Sequence, residues 1–181
     1  GPGDPRTKPL RVAIAGVPNS GKTTLFNALT GMRYKVANYP GVTVEKKEGR
    51  TLLPNIGEVI FCDLPGTYSI FGGSPDELVA SRFLSGLIPS EEQPDLIICV
   101  IDTCNLERNL YLASQLKDQG RPLILALSMN DLALRDGIHI RKELLARNFG
   151  AQVVDISGRN KTDLSSLYAS LSSIPPTASG F

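Results

Sequence analysis

Apolar residues along this chain fall into two alternating patterns. Short, nearly continuous apolar runs of strand length cover residues 10–15, 95–101, 122–127 and 152–156. Between them lie segments with apolar residues at helical spacing. A helix opens over 24–29, another runs from Pro75 and Asp76 to residue 87, and a third covers 106–119, with Leu106, Leu110, Leu112 and Leu116 in register. Two more are expected over 138–148, closed by Gly150, and over 162–172, where Thr162 and Asp163 supply polar N-terminal chemistry. Residues 31–41 read as irregular. Residues 42–53 and 57–62 read as neighbouring strands joined by the turn Pro54-Asn55-Ile56-Gly57, a hairpin. The alternation predicts an α/β fold with a six-stranded, mostly parallel sheet. The hairpin contributes one antiparallel strand, and helices cover both faces. Ligands of such sheets bind outside the C-terminal ends of the strands.

Composition narrows the class without changing the fold. The 181 residues suit one domain. A net charge of +1, with no basic stripe, gives no sign of a nucleic-acid partner. The longest apolar runs, 96–101 and 122–127, fall short of a membrane span, and the N-terminus lacks a secretory h-region. Cys62, Cys99 and Cys104 are odd in number and lack C-x-x-C spacing; Cys62 and Cys99 sit within strand patterns, so packing in a reducing, cytoplasmic setting is expected. Residues 1–9, rich in Pro and Gly, read as a flexible leader or cloning scar. Residues 10–173 form the domain, and 174–181 read as a tail or linker stump.

The strongest chemical signal is Gly16-Val17-Pro18-Asn19-Ser20-Gly21-Lys22-Thr23, a phosphate-binding loop G-x-x-x-x-G-K-[ST] between a strand and a helix. Its glycines let backbone N–H groups turn toward phosphate oxygens, and the helix N-terminus adds partial positive charge. Asn19, Ser20, Gly21, Lys22, Thr23 and Thr24 are the expected phosphate contacts. Lys22 would reach the β- and γ-phosphates, and the Thr23 hydroxyl would bind Mg²⁺. Asp63-Leu64-Pro65-Gly66 follows a strand end, where Asp63 would hold Mg²⁺ through water and Gly66 would offer its N–H to a γ-phosphate. Either residue could also belong to an ordinary turn. Thr43 is placed to join the Mg²⁺ shell only when a triphosphate is bound, which would make its segment a switch. Alone, it would read as a β-branched strand residue.

These motifs resemble the GTPase domain of the FeoB family of bacterial ferrous-iron transport proteins. The resemblance rests on the Pro18-Asn19 pair in the loop, on Asn38-Tyr39-Pro40-Gly41-Val42-Thr43-Val44-Glu45, on Asp63 to Ser69, and on Leu106-Glu107-Arg108-Asn109-Leu110, and it spans residues 10–173. The family usually has Trp where this chain has Tyr39. The resemblance implies a Ras-like fold, binding of GTP and GDP with Mg²⁺, and a place at the cytoplasmic face of the bacterial inner membrane. The partners it implies are the helical and membrane domains of a parent chain. Self-association stays open. A ribosome-assembly or tRNA-modification GTPase would share the Pro-Asn loop.

Three motifs depart from pattern. Ras-type enzymes orient the attacking water with a Gln after the D-x-x-G glycine, and here that position is Thr67. Slow intrinsic hydrolysis, or a nucleotide sensor with negligible turnover, would follow. Arg33 is a weak candidate for an arginine finger. By the resemblance, Asn19 and the carbonyls of Ala37 and Tyr39 would instead hold a K⁺ that neutralises charge between the β- and γ-phosphates; Asn19 could equally serve only the loop turn. In the base-recognition motif N-K-x-D this chain reads Ser128-Met129-Asn130-Asp131. Asp131 would accept from guanine N1–H and the exocyclic amine, donors adenine lacks. Ser128 is expected to be too short to span from the base to the phosphate loop as Asn does. Asn130 is out of register. Ser157-Gly158-Arg159 replaces Ser-Ala-x, with the Gly158 N–H left to meet guanine O6. Weak affinity, fast GDP release and relaxed base specificity, with some ATP use, are expected.

Overall fold

Period-two alternation in the strands divides the core into two layers. In the computed structural model, which describes residues 8–158 and 161–174, Leu96, Ile98 and Val100 face one side of the sheet and Ile97, Cys99 and Ile101 the other. The elements are β1 (Leu10–Gly16), α1 (Lys22–Thr30), β2 (Lys35–Asn38), β3 (Glu45–Leu53), β4 (Gly57–Asp63), α2 (Pro75–Leu84), β5 (Leu96–Asp102), a 3₁₀ turn (Thr103–Asn105), α3 (Leu106–Lys117), β6 (Leu123–Ser128), α4 (Asn130–Arg135), α5 (Lys142–Phe149), β7 (Gln152–Asp155) and α6 (Ser165–Ser172). Leu25, Phe26 and Leu29 of α1 and Leu167 and Leu171 of α6 fill one layer. Val79, Ala80 and Phe83 of α2 and Leu112, Ala113 and Leu116 of α3 fill the other.

The sheet order is β2-β3-β4-β1-β5-β6-β7. Only β3 runs against its neighbours, as expected of the hairpin. The α/β fold with helices on both faces holds, but the sheet has seven strands rather than six. The extra strand is β2, inside the segment expected to be irregular. All four of its residues are exposed, so it forms by pairing with β3 rather than by burying a face. β3 starts at Glu45, three residues after the expected start, which leaves Thr43 in the connection. Two helical expectations also shift. α4, which a turn with Gly137 at φ +81° closes, was not expected at all, and α5 begins at Lys142 rather than residue 138. β1 lies between β4 and β5, so chain connections leave it in both directions and open a crevice above its C-terminal end. Among the described residues no helix is long and apolar enough to cross a membrane.

Candidate functional site

The loop from β1 to α1 is bent by residues in left-handed conformation, Asn19 at φ +63° and Gly21 at φ +100°. Gly21 caps α1 without a side chain, and the first turn of α1 carries no acidic residue. The N–H groups at that helix end are therefore free to meet an anion. A cleft of about 620 Å³ opens there, lined by Val17, Pro18, Asn19, Gly21, Lys22, Thr23 and Thr24 of the loop and helix. Gly66, Asp76 and Met129 close it from three other segments. Gly66 approaches the loop so closely that a Cβ would stand 3.3 Å from Pro18 Cα. Asp76, in the first turn of α2, was not picked out by the sequence, where it reads as helix-dipole chemistry; only its convergence on the cleft distinguishes it.

Lys22 and Asp63 are both buried, with Nζ 2.5 Å from Oδ1. Burial pushes the Asp63 carboxyl above its ordinary value while the Lys22 ammonium works in the opposite direction. The pair has to open for Lys22 to reach a phosphate and Asp63 a metal. The oxygens offered, the Asp63 carboxylate and the exposed Thr23 hydroxyl, suit Mg²⁺. No group of three or more His, Cys, Asp or Glu side chains among the described residues could hold a metal alone.

The other predicted metal contacts are not assembled. Thr43 and Ala37 are exposed, and neither lines the cleft. Tyr39-Pro40-Gly41-Val42 forms a turn with Gly41 at φ +75°, as a Pro-Gly type II turn requires. In it the Val42 N–H donates to the Tyr39 carbonyl (3.3 Å), and the Tyr39 N–H donates to Val44 O (3.0 Å). Asn19 lines the cleft; Ala37 and Tyr39 do not. Thr67, where the water-orienting Gln is missing, is buried, and its N–H donates to Gly16 O. Arg33 lies beyond the far end of α1. Nine helical residues, a rise of about 13 Å, separate it from the loop.

The base-recognition segment packs against the phosphate loop. The Ser128 hydroxyl donates to Ser20 O of that loop at 2.6 Å, with Ile101 O at 3.2 Å as a second acceptor. The end of β6 comes close enough to the loop that a Cβ on Gly21 would touch the Ser128 side chain at 3.4 Å. That contact uses the only proton the hydroxyl has. Met129, at φ +58°, turns the chain into α4, whose first turn presents the exposed Asp131. Asn130 cross-links instead of binding: its N–H donates to Ser157 Oγ (2.8 Å) and its Nδ2 to Asp155 Oδ2 (2.7 Å). Asp155 Oδ1 in turn accepts from the Ser157 N–H (2.8 Å). Asp102 and Thr103 hold the same corner. Asp102 caps the 3₁₀ turn and Thr103 Oγ1 donates to Ser128 O. A Cβ on Gly158 would collide with the Lys161 carbonyl, so glycine suits this loop. Arg159 lies outside the described residues, as do residues 1–7 of the expected leader and 175–181 of the expected tail.

Known proteins resemble this chain over most of its length. Residues 10–171 match the family model described as ferrous iron transport protein B. A Porphyromonas gingivalis Fe(2+) transport protein A/Fe(2+) transporter FeoB fusion protein is 44% identical over 91% of this chain and 19% of its own length. The Escherichia coli Fe(2+) transporter FeoB is 46% identical over 82% of this chain, again 19% of the relative. The crystal structure of the G domain of T. maritima FeoB superposes with a TM-score of 0.77 at 40% identity, covering 91% of this chain and 97% of that one. The chain thus spans about a fifth of the length of the curated relatives it matches.

Proposed function

The chain belongs to the ferrous iron transport protein B family, and on that premise we propose that it is the GTP-binding and GTP-hydrolysing switch domain of a ferrous iron transporter. The observation that carries this reading is the cleft at the uncapped N-terminus of α1, with Lys22, Thr23 and Gly66 around it. The loop N–H groups and Lys22 bind the phosphates, with Lys22 leaving Asp63 to do so. Asp63 and Thr23, joined by Thr43, would hold Mg²⁺, which supplies charge neutralisation at the phosphates. The Gly66 N–H orients the γ-phosphate for attack by water. Asn19, with the Ala37 and Tyr39 carbonyls, would hold K⁺ as the activator in place of an arginine finger.

Asp131 and the Gly158 N–H read the guanine edge, with Met129, Ser157 and Arg159 framing the base. Because the single Ser128 proton is committed to Ser20, no donor there remains for the base. Weak affinity and fast GDP release follow from that, and relaxed specificity, extending to ATP, follows from a Gly158 N–H less firmly fixed at guanine O6. The parent protein's helical and membrane domains, at the cytoplasmic face of the inner membrane, are the partners the family implies.

The buried Thr67 favours a second reading, a nucleotide sensor with negligible turnover. Phosphate release from GTP by the purified chain with Mg²⁺ separates the two. Turnover that vanishes in Lys22→Ala supports the enzyme; nucleotide binding without turnover supports the sensor.

A further inference from the structure

Residues 35–43 are exposed at every position but one. The exception is Tyr39, 1% exposed and among the largest fully buried side chains of the domain. Its ring packs edge-to-face on Phe83 of α2, with centroids 6.2 Å apart and planes at 72°. Its hydroxyl lies 3.6 Å from the Sγ of Cys62, the residue before Asp63. The two main-chain hydrogen bonds between Tyr39 and Val42 and Val44 tie residues 39–44 into one unit, so Thr43 moves when Tyr39 moves. At the base of this unit Lys46 is paired with Glu91, in the connection after α2, at 2.5 Å. The segment is therefore fixed at β3, where Val44 is buried at its base, and held at its tip by the Tyr39 ring.

We propose that Tyr39 is a positioning residue for the nucleotide switch: seated against Cys62 and Phe83 it latches residues 39–44 away from the phosphate cleft, and engagement of Thr43 by a triphosphate withdraws the ring. The latch links both sides of the γ-phosphate site. Phe83 lies on α2, the helix that brings Asp76 to the cleft, and Cys62 adjoins Asp63 on β4. A movement of α2 that displaces Phe83 loosens Tyr39, and withdrawal of Tyr39 frees α2. A latched majority lowers apparent affinity for the triphosphate by the fraction that is unlatched, while GDP, which makes no demand on Thr43, is unaffected. The proposal rests on the reading of the cleft as a GTP site.

The chain has no tryptophan, so Tyr39→Trp introduces a single emitter at the latch. In the free and GDP-bound protein the introduced indole emits blue and is shielded from acrylamide. With Mg²⁺ and a non-hydrolysable GTP analogue, its emission shifts red and quenching rises several-fold. Calorimetry on the same sample reports nucleotide occupancy. A milder variant, Tyr39→Phe, keeps the ring and removes the contact with Cys62. It raises affinity for the GTP analogue relative to that for GDP about two- to tenfold, the worth of one neutral hydrogen bond. Cys62→Val gives the same selective gain, and the double variant adds nothing further. Full occupancy by the analogue with the indole still blue and shielded overturns the latch, as does an equal change in GDP and GTP affinity. Where calorimetry finds no nucleotide bound, the GTP reading fails on its own. The latch is then decided by amide exchange in the free protein: faster exchange at the Val42 N–H in Tyr39→Phe supports it, and unchanged exchange overturns it.

Discussion

Replacing Ser128 by Asn tests the base pocket directly. The Ser128 hydroxyl carries one proton, and the 2.6 Å contact to Ser20 O commits it. An Asn side chain has two N–H bonds. One can keep the tie to the Ser20 carbonyl, and the second becomes free for the purine N7, an acceptor present on guanine and adenine alike. One added neutral hydrogen bond is worth about 0.5–1.5 kcal/mol, so Ser128→Asn should tighten GDP binding about two- to tenfold. ADP should tighten by the same factor, because N7 is common to both bases, and GDP release should slow in proportion. Ser128→Ala is the control: it leaves the Ser20 carbonyl short of a donor and should cost about 1–3 kcal/mol of stability. Calorimetric titration of GDP and ADP with both variants, and stopped-flow release of a fluorescent GDP analogue, make the measurement. Unchanged GDP and ADP affinities in Ser128→Asn, or tightening confined to guanine nucleotides, would refute the reasoning.

Removing Lys22 leaves Asp63 buried without its partner, so Lys22→Ala should destabilise the nucleotide-free protein by about 3 kcal/mol in thermal or denaturant unfolding. The native Asp63 pKa is raised, so the stability tied to its protonation is present at low pH and lost as pH rises through that value; the penalty in Lys22→Ala should shrink on acidification toward the ordinary carboxyl range. In the native protein only the exposed Cys104 should react with iodoacetamide, and slowly, since partial desolvation and the neighbouring Asp102, Asp136 and Asp131 raise its pKa. Cys62 and Cys99, buried and pushed up to about 12, should react only after unfolding, as peptide mass spectrometry would report. Asp163 accepts from the Ser165 N–H and hydroxyl at the start of α6, which lowers its pKa. The resulting stability is present above the ordinary carboxyl range and lost as pH falls through the lowered value, so Asp163→Asn should flatten the acid limb of the unfolding profile.

The core strands and the phosphate loop were legible because each writes its constraint locally. The alternation of Leu96 to Ile101 between two layers needs no partner to be seen, and the loop's glycines and Lys22 are consecutive. What escaped depends on partners far along the chain. β2 has no buried residue and exists through its ladder with β3. α4 is six residues long and leaves Leu132 and Leu134 exposed, too short for a periodic signal. Ser128 meets a carbonyl 108 residues earlier, and Lys22 a carboxylate 41 residues later; no spacing rule announces either pairing. Asp76 reads as a helix-opening acid until the fold turns α2 toward the cleft. The seat of Tyr39 likewise depends on Phe83 and Cys62 arriving from other elements.

The central claim is a GTPase whose missing glutamine is offset by a cation at Asn19. The most direct test is phosphate release from GTP with Mg²⁺, measured at equal ionic strength in KCl and NaCl, for the native chain and for Asn19→Ala. The account predicts turnover that is faster in K⁺ than in Na⁺, with the difference abolished in Asn19→Ala. Equal rates in the two salts, or a K⁺ effect that survives Asn19→Ala, would contradict it.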